Sequence, residues 1–181
     1  IISVIDNIIP HEKRIGDFMF AKYFVHSVDG FIAQSKSVLD DLNQFDANKP
    51  KLFSPHPLYD NFGEKPNKAE SIEKLGLEIN GQYILFFGFI RDYKGLDWLL
   101  QAMADKRIKE SYTQLIVAGE FYNNEQYYLD LIKELNIEDK VILRTEFIPD
   151  DMVRYYFSAA DVVVQPYKNA TQSGVTQICY H

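Results

Sequence analysis

The stretch "YILFFGFIRDYKGLDWLLQAM", residues 83–103, decides the fold. Tyr83 to Phe87 form an unbroken apolar run, the pattern of a strand covered on both faces. Leu96, Leu99, Leu100 and Met103 then recur at i, i+3, i+4 and i+7, the spacing of one helix face. Between them lies "GFIRDYKG", with a glycine at each end and Arg91 and Lys94 inside. A buried strand, a short loop and an amphipathic helix make one α/β unit.

Working outward, the pattern repeats. "TQLIVAGE" (113–120), "VILRTEF" (141–147) and "DVVVQPY" (161–167) read as further strands, and the runs at Leu115 and Val162 are continuous rather than alternating. Tyr128, Leu131, Ile132 and Leu135 mark a second helix, and "DDMVRYYFSAA" a third, with Asp150 as its cap after Pro149 and Asp151 in its first turn. From residue 83 the order is β-α-β-α-β-α-β-α, a doubly wound parallel sheet of Rossmann-like type. Before it, "IISVI" (1–5), "GFIAQS" (30–35) and "KLFSPHP" (51–57) read as strands, with helices over about 17–28 and 36–45. The polar segment "YDNFGEKPNKAES" has no sustained periodicity and sets a domain boundary near residue 58, giving units 1–58 and 59–181.

Composition narrows the function. The chain has 181 residues, 46% hydrophobic, with net charge -7. That balance fits an ordinary globular protein and argues against nonspecific binding to nucleic acid or anionic membrane. An anionic ligand would therefore need a local cationic site. The one cysteine, Cys179, excludes an internal disulfide framework and points to a reducing compartment, the cytoplasm. No apolar run approaches the roughly 20 residues of a membrane span, and no signal peptide is visible. The chain opens without Met and stops inside an expected helix, so it is expected to be truncated at both ends.

Ligands of open α/β sheets sit beyond the carboxyl ends of strands, near a topological switch point. The loops there carry Gly88, Arg91 and Lys94; Gly119 and Glu120; Phe147 and Ile148; and "QPYKNATQSGV". Arg91 and Lys94 are either solvated surface charges or a pair able to neutralise a diphosphate. Ser173, before an apolar helix start, is either a plain N-cap or part of an amide seat for phosphate oxygens. Neither G-x-x-x-x-G-K-[ST] nor G-x-G-x-x-G is present, so the two common nucleotide fingerprints fail. Asp-x-Asp is absent too, so no divalent-metal diphosphate site is expected and protein cations must carry the charge.

These residues resemble the retaining glycosyltransferases of family 4, whose GT-B fold faces two Rossmann-like domains. "GFIRDYKGLDWLLQAM" is similar to the family's G-x-x-x-x-x-K-G segment, "LIVAGE" to its second strand, and "YYFSAADVVVQPY" to the approach to its diphosphate loop. "DNIIPHEKR" and "SPHPLYDNFG" are similar to the end of the acceptor-side domain and the passage into the donor domain. The resemblance implies a metal-independent transfer, with retention, of a sugar from a UDP- or GDP-linked donor to a glycan or lipid-linked acceptor, without a separate cofactor. It implies diphosphate contacts from Gly88, Arg91, Lys94, Gln172, Ser173, Gly174 and Val175. Glu120, Phe147, Ile148 and Thr171 would meet base or sugar; Glu120 also reads as an exposed strand-end carboxylate, and Phe147 as core. His11 and Asp6 compete for a place at the acceptor, and a purely structural role fits either. The family's Glu-x7-Glu pair is replaced by Thr171 and Cys179, and Cys179 reads as packing. A nucleotide-sugar-binding module without turnover, or a phosphorylase or epimerase on the same scaffold, are the alternatives. An acceptor at the inner membrane face would imply peripheral membrane contact.

Overall fold

The computed structural model describes residues 1–10, 15–170 and 173–180. Two compact units result: Ile1–Leu58 with Asn169–Tyr180, and Tyr59–Lys168. The segment 169–180, assigned from sequence to the later unit, clusters with the earlier one.

In the first unit, β1 (Ile2–Ile5), β2 (Gly30–Ala33) and β3 (Lys51–Phe53) form a parallel sheet in that order. Helices α1 (Asp17–Ser27) and α2 (Lys36–Phe45) supply the crossovers. Val25, Phe31, Val38 and Leu42 close the core. Two polar devices set the helix ends. The Ser35 hydroxyl accepts from the Val38 amide at 3.1 Å and caps α2. The Lys49 ammonium donates to the carbonyls of Val25, His26 and Val28 at 2.7–2.9 Å, answering the orphan acceptors at the end of α1. The short α8 (Gly174–Cys179) is also counted with this unit, and Cys179 is exposed there rather than packed.

The second unit carries α3 (Lys68–Leu75), β4 (Gln82–Phe87), α4 (Leu96–Met103), α5 (Lys106–Lys109), β5 (Thr113–Ala118), α6 (Glu125–Glu134), β6 (Val141–Arg144), α7 (Asp150–Ala159) and β7 (Val162–Val163). Its strands are all parallel and ordered β6-β5-β4-β7. Side chains of β5 alternate between two apolar layers. Leu115 and Val117 join Leu96, Leu100, Met103, Tyr128 and Ile132 of α4 and α6. Ile116 and Ala118 join Ile72, Leu75, Tyr156 and Ala159 of α3 and α7. A continuous apolar strand is the sequence form of this double burial.

Three local expectations need correction. The segment after residue 58 contains a helix, α3, capped by Asn67, whose side chain accepts from the Glu70 amide at 2.9 Å. The cap of α7 is Pro149, without a side-chain bond, and Asp150 and Asp151 both lie in the first turn, where their charge suits the helix dipole. Val162 is 54% exposed rather than covered on both faces, and β7 stands last in the strand order among the described residues.

The strand order puts the topological switch between β4 and β7. The chain runs outward from β4 through β5 to β6 and then returns to the far side of β4. The loops after β4 and β7 therefore leave neighbouring strands in the same direction and meet. Gly95 is where they touch: a β-carbon there would lie 2.1 Å from the carbonyl oxygen of Pro166. Its φ of 70° is also left-handed. Gly95→Ala is expected to lower unfolding free energy by more than about 2 kcal/mol, combining left-handed strain with a forced backbone shift. Denaturant unfolding monitored at Trp98, next to the loop, checks this.

Candidate anion-binding site

The β4 loop is built by glycine and backbone bonds. Gly88 has φ 92° and donates its amide to the Ala118 carbonyl at 2.8 Å, so the loop turns while still tied to β5. The loops after β4 and β5 then zip together. Ile90 donates to the Glu120 carbonyl at 2.8 Å, and Tyr122 donates back to the Ile90 carbonyl at 3.1 Å. Gly119 fits between them because a β-carbon there would fall 2.5 Å from the Gly88 oxygen.

That pairing seats Tyr122 beneath Arg91. The guanidinium carbon lies 3.8 Å from the centre of the Tyr122 ring, a cation–π contact that fixes the plane of the fork. Residues Asp92–Lys94 form a single 3-10 turn, closed by the Gly95 amide donating to the Asp92 carbonyl at 3.1 Å. Lys94, the last residue of this turn, is half-buried. Burial first, and the neighbouring Arg91 charge second, push its ammonium down to about 8 from the usual 10.5. The Tyr167 ring centre is 5.9 Å from its nitrogen.

Among the described residues, the salt bridges of these loops join Lys168 to Asp92 and Asp97, each at 2.9 Å, and involve neither Arg91 nor Lys94. A partly desolvated cation without a bonded carboxylate, beside a second cation, is the electrostatic form of an anion site.

The other expected residues divide. Glu120 lies in the zipped loop pair beside Ile90, half-buried, with its carbonyl committed to that pairing. Phe147 follows β6 and is 69% exposed, so it is not core. Ile148 is partly buried and packs against the apolar layer that contains Ile72 and Tyr156. Ser173, at the N-cap position of α8, makes no side-chain cap bond; Gly174 opens that helix and Val175 is buried. Asp6 ends β1, accepts from Asn7 Nδ2 at 3.2 Å and lines a cavity of about 500 Å³ with Phe20 and Phe24. His11, Thr171 and Gln172 lie outside the described residues. Sequence reasoning missed Tyr122, Asp97 and Lys168. Lys168 stands in the quoted "QPYKNATQSGV" loop, but nothing in the sequence marks it as the partner of two carboxylates over 70 positions away.

Among the described residues no helix is long and apolar enough to cross a membrane, and no three His, Cys, Asp or Glu side chains group as a metal site.

A doubly wound parallel unit with cations at its switch point defines a Rossmann-like α/β protein of GT-B type. Residues 67–173 match the family described as Glycosyl transferases group 1, and the chain belongs to that family. It is 30% identical over 164 residues to alpha-monoglucosyldiacylglycerol synthase of Streptococcus pneumoniae, covering 86% of this chain and 36% of that protein. It is 26% identical over 171 residues to a D-inositol 3-phosphate glycosyltransferase of Kineococcus radiotolerans, covering 88% and 38%. The chain thus spans little more than a third of these relatives. Anabaena HepE, solved in complex with UDP, superimposes with TM-score 0.76 over 98% of this chain and 50% of its own, at 17% identity. Sucrose-phosphate synthase from Thermosynechococcus elongatus gives 0.73 over 91% and 41%, at 20% identity. At these identities the likeness is one of fold.

The lowered Lys94 ammonium makes a prediction about stability. Between about 8 and 10.5 the unfolded chain holds this proton and the folded chain releases it. Unfolding free energy therefore rises with pH across that window, and the penalty is complete below it. Lys94→Met is expected to be more stable than the parent at pH 7, by about 1–3 kcal/mol after allowing for partial exposure. The difference should vanish above pH 10.5, as paired denaturant curves along the pH series would show.

Proposed function

We propose that this chain is the donor-binding part, with the end of the acceptor-side part, of a retaining family 4 glycosyltransferase. It transfers a sugar from a nucleoside-diphosphate donor to an acceptor hydroxyl. The observation that carries the reading is the pair Arg91 and Lys94: two cations at a switch point, outside the ion pairs around them, one of them desolvated enough to titrate at about 8. The relatives' names agree with sugar transfer, and HepE is named as a complex with UDP.

On this reading Arg91 presents a planar fork and Lys94 a point charge to the two phosphates. As the anomeric C–O bond breaks, negative charge grows on the leaving diphosphate. Cations already fixed by Tyr122 and by the 3-10 turn stabilise it without reorganising. Protein cations thus do the work a divalent metal does elsewhere. The family resemblance further suggests Gln172, Ser173, Gly174 and Val175 as diphosphate ligands and Thr171 as a base or sugar contact. Phe147 and Ile148 meet the base, Glu120 the ribose or the sugar, and Asp6 or His11 the acceptor. The acceptor is a glycan or a lipid-linked precursor, and the enzyme works in the cytoplasm, at the inner membrane face when the acceptor is lipid-linked.

Calorimetric titration with UDP, GDP, ADP and UMP tests the donor assignment. One diphosphate should bind, its monophosphate more weakly. Arg91→Ala and Lys94→Ala should each weaken binding by about tenfold or more, the worth of a charge-assisted hydrogen bond. Affinity should fall as pH rises through about 8, where free Lys94 loses its proton. Folded protein that binds no diphosphate, or binds it equally well without both cations, would overturn the assignment.

A further inference from the structure

The β4 loop carries its own contradiction. Arg91 and Lys94 are accompanied by Asp92 and Asp97, so the segment taken alone is neutral and unsuited to an anion. Asp97 is largely buried, and its Oδ1 has no hydrogen-bond partner among the described residues. A buried carboxylate seeks a cation, and Lys94 stands three residues away.

Lys168, from the loop after β7, intervenes. Its ammonium bonds Asp92 Oδ1 and Asp97 Oδ2, both at 2.9 Å, and lies 5.5 Å from the centre of the Trp98 ring. Its amide donates to the Tyr93 carbonyl at 2.7 Å, directly before Lys94. Tyr93 and Tyr167 meet edge to face at 6.0 Å. Both strand-end loops are thereby fixed around one ion-pair triad.

We propose that Lys168 is a positioning residue for the diphosphate site: an internal counter-ion that occupies Asp92 and Asp97 so that Lys94 stays unpaired and available to an anionic ligand. With Lys168 counted, the cluster is net positive; without it, the two carboxylates compete with the phosphates for Lys94. The proposal deepens the donor-site reading and rests on it only for the identity of the anion. Electrostatics around the triad are consistent. Burial works against the Lys168 charge, yet its bonds to Asp92 and Asp97 raise its pKa on balance. Lys94 is perturbed by burial and by Arg91, not by either carboxylate. On α6, burial and then the charges of Asp97 and Asp92 push the Tyr128 phenol up to about 12, so Tyr128 is neutral and does not compete for either lysine.

The test compares the parent with Lys168→Met, Lys168→Arg and the triple variant Asp92→Asn, Asp97→Asn, Lys168→Met, each checked for folding by circular dichroism. Two readouts are taken: UDP affinity by calorimetry, and the Lys94 pKa from competitive amine acetylation across pH, read by mass spectrometry. Lys168→Met should raise the Lys94 pKa from about 8 toward 10.5 and weaken UDP binding by about tenfold or more at pH 7. Lys168→Arg should retain both values, and the triple variant should restore both, since no carboxylate remains to be neutralised. A merely structural lysine would not be rescued by deleting its partners. The proposal is overturned if Lys94 still titrates near 8 in Lys168→Met, or if the triple variant does not recover. Should Lys168→Met fail to fold, the triple variant alone decides, because it lacks the same cation. If the parent binds none of UDP, GDP and ADP, the donor reading falls, while the Lys94 pKa still judges the counter-ion role.

Discussion

The carbonyl oxygen of Pro166 occupies the space that a β-carbon at position 95 would need, and the candidate site depends on that close approach. Because the backbone there is glycine, the loops after β4 and β7 can touch. Because they touch, the Lys168 amide reaches the Tyr93 carbonyl and its ammonium reaches Asp92 and Asp97. Sheet order therefore shapes the electrostatics: had β7 followed β6 outward, its loop would not meet the β4 loop, and Lys168 would not reach Asp92 and Asp97.

A half-buried ammonium without a bonded carboxylate costs stability, and the structure carries that cost close to a well-packed layer. Leu96, Leu100 and Met103 immediately follow the turn and are almost fully buried against Leu115, Val117 and Ile132. Each such side chain contributes about 1.5–3 kcal/mol. A strained, charged turn is thus anchored by the first two turns of an apolar helix. The aromatic contact under Arg91 belongs to the same design, since stacking on Tyr122 limits the guanidinium to one plane without neutralising it.

Much of this was legible in the sequence, for reasons that differ by element. Strands β4 and β5 are largely buried on both faces, so their signal is an unbroken apolar run. Helices α4 and α6 carry clean one-face periodicity. Helix α3 was missed because it is short and its cap, Asn67, sits in a polar stretch that looks like linker; the Asn67–Glu70 spacing was its one local sign. Val162 misled because an apolar run does not by itself tell which faces of a strand are covered. Arg91 and Lys94 stood out as candidates because both follow the end of a buried strand. Lys168 did not, because its importance lies in a tertiary bond to Asp97 that pattern and spacing do not encode.

The chain's net charge of -7 looks hostile to an anionic ligand, but the relevant quantity is local. At physiological ionic strength exposed charges are screened beyond about 8 Å, so distant carboxylates contribute little at the β4 loop. Asp92 and Asp97 are too near to be screened, and Asp97 is too buried. They are instead held by an ammonium delivered from the neighbouring loop. Within the screening distance, a site's sign is set by which charges are already paired, and here the pairing leaves Arg91 and Lys94 unmatched. Counting residues along 88–97 gives neutrality; counting bonds in the folded protein gives a cationic site.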